Sequence, residues 1–351
     1  MNQTEVSSNV TTSTNNAQVN MDLLTSITIF LQCVTHVLGV VGNGVVIYVV
    51  GLKMKKTVNT IWFLNLAGAD FLFTFFMIFN IIYVFRNFDW PFGDFMCKLC
   101  TLVTVLNMFA STFLLAAISV DRCLSTWMVV WARTKRTLSK AKISCLAIWL
   151  ASIACSIPSV IFRKTTFNDS VQRTMCSADF PYGLATYKIL VIYRFIVGFM
   201  LPFIIIFSSY LAIGVKVRTL RRNNKLKPFR IILAVILTFL FCWLPFYIHQ
   251  LIDLWIRELN ATNQSAELTS FKVVLDGVAP LIVSLAYLNS CLNPFLYVLM
   301  CEDFQKKLKQ SLVIVFESAF AEEHMNLLSQ PQNNSLSMHG KGTEETGSSE
   351  D

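Results

Sequence analysis

Long apolar stretches recur along the chain and alternate with shorter polar segments. Each holds about 20 or more residues, enough for an α-helix to cross the hydrocarbon core of a bilayer while satisfying its own backbone hydrogen bonds. These stretches occupy residues 27–52, 60–85, 95–126, 141–161, 186–216, 229–256 and 272–300. The pattern predicts an all-α membrane protein in which seven transmembrane helices form a bundle over residues 27–300.

Polar segments flank this bundle. Residues 1–26 are rich in Asn, Ser and Thr and lack the apolar stretch of a cleavable signal peptide, so we expect a disordered leading segment and an uncleaved first span. Residues 301–316 set apolar side chains against lysines, which predicts a short amphipathic eighth helix along the membrane surface. Residues 317–351 are polar and low in complexity, which predicts a disordered cytoplasmic tail.

Composition and charge support this reading and orient the bundle. Hydrophobic residues make up 54% of the chain and charged residues 14%, whereas about 25% of an ordinary soluble domain is charged. Lysine and arginine clusters follow the first, third, fifth and seventh spans, at 53–56, 133–142, 216–230 and 306–309. The positive-inside rule makes those segments cytoplasmic and the N-terminus extracellular. This topology accounts for the positive charge without a nucleic-acid partner.

Glycosylation acceptor patterns agree with that orientation. The pattern Asn-X-Ser/Thr marks accessible sites on the outer side of the membrane. Five matches fall in segments predicted to be extracellular, at Asn2, Asn9, Asn168, Asn260 and Asn263. A sixth match at Asn333 lies in the predicted cytoplasmic tail and should remain unmodified.

Two of the ten cysteines stand apart from the others. The other eight lie within the predicted spans or at their ends, where a small buried hydrophobe is the expected role. Cys97 begins the third span and Cys176 lies in the external segment 162–186, so both face the oxidising side. A bridge between them would close a loop of about 80 residues, worth roughly 4.5 kcal/mol in the chain-entropy model. We predict this disulfide, and the sequence contains no Cys/His pattern with metal-ligand spacing.

Polar residues and prolines recur inside the spans, where a central charge costs about 2.5–3.5 kcal/mol on insertion scales and therefore suggests function. One group occurs in each span, in chain order: Gly42-Asn43, Asn65 to Asp70, Asp121-Arg122-Cys123, Trp149, Pro202 with Tyr210, Cys242 to Pro245, and Asn293 to Tyr297. The set resembles the signature of rhodopsin-like G-protein-coupled receptors over residues 27–316. The resemblance implies a plasma-membrane receptor that activates a heterotrimeric G protein.

A G-protein switch is implied at the inner ends of the spans. Arg122 lies beside Asp121 and can swing toward a partner, although Cys123 replaces the commoner tyrosine. Pro245 and Pro294 remove backbone hydrogen bonds and create kinks that can act as hinges, with a static bend as the alternative. The residues assigned to the switch are Asp121, Arg122, Tyr210, Asn293, Pro294 and Tyr297.

An oxygen-rich cluster is predicted in the middle of the bundle. Its members are Asp70, Asn107, Ser111, Asn289 and Asn293. Hard cations prefer oxygen ligands, so the cluster suits Na⁺, which would stabilise the inactive state. A hydrated polar network without an ion is the alternative, and no other cofactor is expected.

Further motifs narrow the resemblance to one group of these receptors. They are Lys53 to Val58, Trp62 to Ala67, Trp90 to Gly93, Asn107 to Ser111, Arg194 to Pro202 and Asn289 to Pro294. Together they resemble the chemoattractant group, which includes the formyl-peptide, chemerin and complement anaphylatoxin receptors. The resemblance implies an extracellular peptide or lipid-mediator ligand, an inhibitory-type G protein, and a role in chemotaxis and inflammation.

Arg194 is the most informative single residue for the ligand. It lies eight positions before Pro202, in the outer half of the fifth span, and helical periodicity turns it toward the bundle. Its planar fork suits a carboxylate, while an internal ion pair with Asp253 or Asp276 is the alternative. The residues assigned to ligand binding are Arg194, Trp243, Tyr247, His249, Asp253 and Asp276.

Departures from the group's pattern limit the assignment. Leu190 and Val105 stand where formyl-peptide receptors carry an arginine and an aspartate, so we do not expect recognition of formyl-methionine. No tyrosine precedes Tyr48, which excludes sulphated tyrosines in the leading segment. Val129 replaces the usual proline of the second inner loop. With Cys123, this leaves a non-signalling decoy receptor as an open alternative.

Other classes fit the sequence less well. Amine receptors need an aspartate where Thr104 stands, and opsins need a Schiff-base lysine where Tyr287 stands. Internal repeats and pore-lining polar rows, expected of transporters and channels, are missing from the sequence. No nucleophile–base set or phosphate loop suggests an enzyme.

The tail carries hydroxyl residues among acidic ones. They are Ser335, Ser337, Thr343, Thr346, Ser348 and Ser349. Phosphorylation would add negative charge that an arrestin-like partner can read, and an inert solvated tail is the alternative.

Overall fold

The computed structural model describes the backbone of residues 3–181, 183–219, 226–261, 268–300 and 305–310. Side chains are described for most of residues 22–216, 236–261 and 271–295, and for 305–310. Within these limits the chain forms α-helices and one two-stranded hairpin. The elements are α1 (Gln3–Tyr48), α2 (Val58–Phe85), α3 (Gly93–Trp127), α4 (Val129–Lys135), α5 (Leu138–Ile161), β1 (Arg163–Asn168), β2 (Arg173–Ala178), α6 (Leu184–Phe195), α7 (Leu201–Thr219), α8 (Leu226–Ala261) and α9 (Leu268–Met300).

Seven helical segments have the length and composition of membrane spans, as the sequence predicts. Their limits are Asp22–Lys53, Val58–Phe85, Gly93–Trp127, Leu138–Ile161, Leu184–Lys216, Ile236–Ala261 and Phe271–Phe295. The first helix begins earlier, at Gln3, and so extends into the polar segment for which composition predicts disorder. Helix propagation costs far less than nucleation, which explains how an apolar span can extend into a polar segment.

Threonine caps set the starts of two spans. Thr57 is extended (φ −127°, ψ 168°), and its hydroxyl accepts from Thr60 N while Thr60 Oγ1 accepts from Thr57 N at 2.7 Å. This reciprocal pair satisfies two backbone donors at the start of α2. Thr137 caps α5 in the same position by accepting from Lys140 N.

The fifth span is interrupted by a π-helical turn over Ile196–Met200, between α6 and α7. Pro202 lies two residues after this turn and has no backbone N–H for the carbonyl one turn earlier. A π turn absorbs this mismatch by adding a residue to the helix. Gly198 lies in that turn, where an added Cβ would come 2.7 Å from Tyr247 Oη.

A β-hairpin lies at one end of the bundle. Strands β1 and β2 pair antiparallel, with Thr165 opposite Cys176. Cys176 forms a disulfide with Cys97 at the start of α3, which confirms the predicted bridge. Asp94, also at the start of α3, accepts from Thr165 N at 3.0 Å. Because of these bonds the hairpin is held against α3; we call this end of the bundle the hairpin end.

The outside of the bundle is apolar, and polar residues lie among apolar ones on the inside. α3 packs against α2, α5 and α7, and α1 packs against α2 and α9. Asn43 and Asp70 are completely buried between the helices, whereas Ile143 and Ile189 are about two-thirds exposed on the outside. Outward apolar side chains with inward polar groups are what a lipid solvent requires.

The chain divides into two compact units, Met1–Lys307 and Leu308–Asp351. Residues 305–310 are helical, while the rest of the predicted eighth helix, at 301–304 and 311–316, lies outside the described residues. The predicted tail, 317–351, also lies outside them. Both therefore remain predictions.

Candidate ligand cavity and signalling core

A cavity of about 310 Å³ opens inside the hairpin end of the bundle. Aromatic side chains form much of its wall, and Trp243 of α8 lines it as well. Its aromatic and polar lining residues include Phe76, Asn80, Tyr83, Trp90, Thr104, Phe246, Tyr287 and Ser290. We call this space the first cavity.

A second cavity of about 410 Å³ adjoins the first. The two share Thr101, Val105, Arg163, Arg194 and Gln250 in their walls. The second extends toward α6, where Phe180, Tyr187 and Leu190 line it. Arg163 and Arg194 therefore stand at the partition between the two spaces.

Arg194 lies in the last turn of α6, just before the π turn. Its Nε is buried and has no hydrogen-bond partner in the described part of the chain. Neither Asp253 nor Asp276 pairs with it among the described side chains, so the alternative of an internal ion pair is not what the structure shows. A buried guanidinium donor left unpaired costs free energy that an anionic ligand would recover.

Arg163 is a second cation in the same partition, and the sequence analysis did not single it out. It begins β1, and its Nε donates to Thr101 Oγ1 of α3 at 3.2 Å. Burial lowers the pKa of the Arg163 guanidinium, yet arginine keeps its charge in proteins. The described linings of both cavities contain no carboxylate, so the pair presents uncompensated positive charge.

Asp253 already has hydrogen-bond partners within the helical bundle. Its carboxylate is buried and accepts from Tyr187 Oη at 2.6 Å, Arg257 Nε at 2.7 Å and Lys272 Nζ at 3.2 Å. These donors come from α6, α8 and α9. Lys272 also pairs with Asp276 at 3.3 Å. Of these two aspartates, predicted as ligand contacts, Asp253 thus ties α6, α8 and α9 together at the hairpin end, while Asp276 pairs within α9.

The other residues predicted to bind ligand divide into two groups. Trp243 lines the first cavity, and its Nε1 has no hydrogen-bond partner among the described residues. Tyr247 is buried against α3, with its hydroxyl 3.7 Å from Met108 Sδ. His249 Nε2 lies 3.1 Å from Leu275 O of α9. The structure therefore places Arg194 and Trp243 in the walls of the cavities. The other four residues, Tyr247, His249, Asp253 and Asp276, contact groups of the bundle instead.

The predicted oxygen cluster is assembled only in part. Asn293 Nδ2 donates to Asp70 Oδ2 at 2.6 Å. With its amide oriented to satisfy both neighbours, Asn107 donates to Asp70 Oδ1 at 3.1 Å and accepts from Ser290 Oγ at 2.8 Å. Ser111 instead donates to Asn107 O of its own helix at 2.7 Å. Asn289 Nδ2 is buried without a described partner.

Ser290 is the member of this cluster that the sequence analysis missed. It lines the first cavity and bonds to Asn107, so the cavity and the Asp70 cluster adjoin. The cluster contains oxygen atoms of the kind that bind hard cations such as Na⁺. Within the described residues no cluster of three or more His, Cys, Asp or Glu side chains forms a metal site. Ion binding at Asp70 remains a prediction.

At the opposite end of the bundle, Asp121 is held by an arginine from the following loop. Arg136 donates from Nε to Asp121 Oδ1 at 2.8 Å and from Nη2 to Oδ2 at 2.6 Å. The same Nη2 reaches Asn59 Oδ1 of α2 at 2.5 Å. Arg122 is half-buried beside this pair. The sequence predicted Asp121 as part of the switch but not its bidentate partner.

The remaining predicted residues are placed as follows. Tyr210 is buried in α7, and Pro294 lies within α9 close to Gly42 of α1. The side chain of Tyr297 is outside the described set. Asn168 and Asn260 are exposed at element ends, while Asn2, Asn263 and the side chain of Asn9 are not described.

Comparison with known proteins identifies the arrangement. A sequence model described as "7 transmembrane receptor (rhodopsin family)" matches residues 42–297. The chain belongs to this family. Membership makes it a multi-pass membrane receptor and not an enzyme, and it explains the seven spans, the proline-containing helices and the cavity at one end.

Individual relatives place the receptor in the chemoattractant group. The C3a anaphylatoxin chemotactic receptor of Danio rerio is 41% identical over 85% of this chain and 78% of its own length. Chemerin-like receptor 1 of Homo sapiens is 38% identical over 82% of this chain and 78% of its own length. N-formyl peptide receptor 3 of Gorilla gorilla gorilla is 36% identical over 82% and 84%. The receptor is similar to all three across most of its length.

Proposed function

We propose that the receptor recognises a chemoattractant peptide through a carboxylate held by Arg194 and Arg163 in the partition between the two cavities. The observation that carries this proposal is the unpaired, buried Nε of Arg194 beside a second cation, with no carboxylate in the described linings. A planar carboxylate can engage both guanidinium groups through charge-assisted hydrogen bonds. The aromatic wall of the first cavity would bury an adjacent apolar side chain.

The hairpin end faces the outside of the cell in this proposal. The basic residues at the described ends of the spans, among them Lys53, Arg133 and Lys216, lie at the other end, which supports a cytoplasmic location for that end. The disulfide at the hairpin also supports it, because such bonds persist in oxidising surroundings. The opposite end would then contact an inhibitory-type G protein, and an arrestin would bind the phosphorylated tail.

The relatives' names suggest which ligands to test first. C3a and chemerin are candidates because receptors named for them are 41% and 38% identical to this chain. Formyl peptides are less suitable, because Leu190 is buried and apolar where the formyl-peptide receptors are expected to carry a second arginine. A lipid mediator with a carboxylate would satisfy the same two arginines and should be included in the screen.

Binding of C3a and chemerin, each with a free or an amidated C-terminus, tests the carboxylate. Charge-assisted hydrogen bonds contribute about 1.5–3 kcal/mol, so Arg194→Ala should weaken the free acid by about ten- to a hundredfold. Arg194→Lys should restore only part of this, because a point charge lacks the fork. Arg163→Ala should act in the same direction.

Matched controls are available next to each arginine. Lys164 neighbours Arg163 but pairs on the surface with Asp179, and Lys188 lies on α6 but pairs with Glu258. Alanine at either position should leave affinity nearly unchanged. Amidation should weaken binding to the wild type but add little to the loss in Arg194→Ala. If amidation and Arg194→Ala were instead additive, Arg194 would not contact the carboxylate and the proposal would fail.

A further inference from the structure

A chain of hydrogen bonds joins three spans behind the wall of the first cavity. Gln32 of α1 is buried, and its Nε2 donates to Ser284 Oγ of α9 at 3.0 Å. Asn80 of α2 donates from Nδ2 to Gln32 Oε1 at 3.2 Å. Asn80 also lines the cavity, whereas Gln32 and Ser284 do not. One end of the chain is therefore accessible to a ligand.

Ser284 fixes the direction of these bonds. Its hydroxyl carries one proton and donates it to Pro280 O at 2.7 Å, so toward Gln32 it can only accept. Gln32 must then turn its amide nitrogen to Ser284 and its oxygen to Asn80. Asn80 in turn directs its nitrogen to Gln32. Amide orientations are usually ambiguous from geometry alone, but here the serine settles both.

The consequence for the cavity is a fixed acceptor. Asn80 Oδ1 has no hydrogen-bond partner in the described part of the chain, and it belongs to a side chain that lines the cavity. Rotating the amide would break the bond to Gln32 and leave two oxygens facing each other. Such an acceptor selects a ligand that offers a donor, because an unpaired polar group in a closed site is costly.

We infer that Asn80 is a specificity-determining residue whose Oδ1 accepts a hydrogen bond from a neutral N–H of the ligand, and that Gln32 and Ser284 are positioning residues. Arg163 and Arg194 line the same cavity and repel an ammonium group. A backbone amide of a peptide is the donor that fits. The inference deepens the proposed function, since the same ligand places its carboxylate at the arginines.

The direction of the hydrogen bonds from Asn80 through Gln32 to Ser284 can be tested without any ligand. In the otherwise wild-type receptor, Ser284→Ala should lower the melting temperature of the purified protein, because Gln32 loses its acceptor. In the Asn80→Asp background it should lower that temperature less, or raise it. The aspartate offers only acceptors, so the Gln32 amide must rotate to turn its nitrogen toward residue 80. That rotation turns Gln32 Oε1 toward the Ser284 hydroxyl oxygen, and Ser284→Ala removes this conflict. Thiol-reactive dyes can report unfolding through buried Cys145, Cys242 and Cys291.

Thr35→Ala provides the control for this cycle. Thr35 is also buried, on α1, but its hydroxyl donates to Leu31 O of its own helix at 2.8 Å. Its effect should add to that of Asn80→Asp without coupling. If Ser284→Ala likewise had the same effect in both backgrounds, Ser284 would not control Asn80 and the inference would be overturned.

Small probes test the acceptor itself. N-acetyl-L-phenylalanine carries a carboxylate, an aromatic ring and one N–H, and its N-methyl derivative lacks that donor. By saturation-transfer NMR on the purified receptor, N-methylation should weaken binding to wild type about tenfold, as expected for one lost hydrogen bond. The penalty should largely disappear in Asn80→Ala. It should persist in Thr104→Ala, because Thr104 lines the cavity but donates to Cys100 O at 2.8 Å.

The outcomes separate this inference from the proposed function. Equal affinity of the two probes for wild type would overturn the role of Asn80 while leaving the arginines untouched. If the carboxamide of the probe bound as well as the acid, the carboxylate site would fail, and the N-methyl comparison would still decide on Asn80. If no probe bound, the carboxylate site would be contradicted and the stability cycle would decide the direction of the chain.

Discussion

At the scale of single residues, Arg136 and Asp121 form a bidentate ion pair at the end of the bundle opposite the hairpin. Both side chains are largely shielded, with 20% and 12% of their surfaces exposed. Arg136 also reaches Asn59, so one guanidinium joins α2, α3 and the segment after α4. Planar two-point bonding of this kind is what distinguishes arginine from lysine.

We therefore expect Arg136→Ala to destabilise the receptor by about 1–3 kcal/mol, since it leaves a shielded carboxylate without its partner. Thermal unfolding in detergent should show the loss, and Arg133→Ala on the exposed face of α4 should not reproduce it. Combining Arg136→Ala with Asp121→Asn should cost little more than either change alone. Fully additive losses would mean that Arg136 stabilises the fold through other contacts.

At the scale of elements, apolar length was sufficient to predict the spans, because a bilayer admits few alternatives to a helix of that length. The π turn, α4 and the β-hairpin were not predicted. Pro202 is evident in the sequence. Whether a helix accommodates a proline by a kink or by one extra residue in a π turn depends on the residues packed around it. The hairpin strands, Arg163–Asn168 and Arg173–Ala178, lack clear alternation of apolar and polar residues.

The candidate site was predictable to the extent that single residues carry strong chemistry. Arg194 and Asp70 were recognised because a charge within a span is rarely without function. Arg163 and Ser290 were missed, since an arginine just beyond a span and a serine in a helix are common in any sequence. Asp253 was recognised as notable but acts between helices. Which charges pair internally depends on how neighbouring helices pack against one another, which the apolar pattern of a single helix does not fix.

The π turn leads to a prediction at the same scale. Gly198→Ala places a methyl group 2.7 Å from Tyr247 Oη, so the buried tyrosine must shift. Overpacking of this kind costs about 1–3 kcal/mol, and the melting temperature should fall. Gly214→Ala in α7 meets nothing within 4 Å and should be neutral or stabilising. Tyr247→Phe should rescue Gly198→Ala in part; no rescue would show that the turn itself, rather than the contact, excludes alanine.

At the scale of the whole molecule, polar groups run from the ligand cavity toward the other end of the bundle. Ser290 lines the cavity and bonds to Asn107, which faces Asp70, and Asp70 accepts from Asn293 next to Pro294. Adjacency alone does not establish coupling. It does show that a group bound in the first cavity would lie beside Ser290, one end of a connected set whose other end is next to Pro294 in α9.

Whether this receptor signals or acts as a decoy can be decided at Arg122. If Asp121 and Arg122 form the G-protein switch, Arg122→Ala should abolish C3a- or chemerin-stimulated nucleotide exchange in membranes. Surface expression and ligand affinity should stay close to wild type, because the cavity lies at the hairpin end. Arg133→Ala, on the exposed face of α4, is the control and should retain exchange.

Two results would contradict the switch. If the Arg122→Ala receptor still gave full nucleotide exchange, Arg122 would not be part of the switch. The second concerns the wild type, in which Cys123 and Val129 stand where the resemblance leads us to expect a tyrosine and a proline. If the wild type bound and internalised ligand but gave no exchange with any G protein tested, the decoy function would be established. In that case the two arginines and Asn80 would still account for binding, because ligand capture at the hairpin end needs no partner at the other.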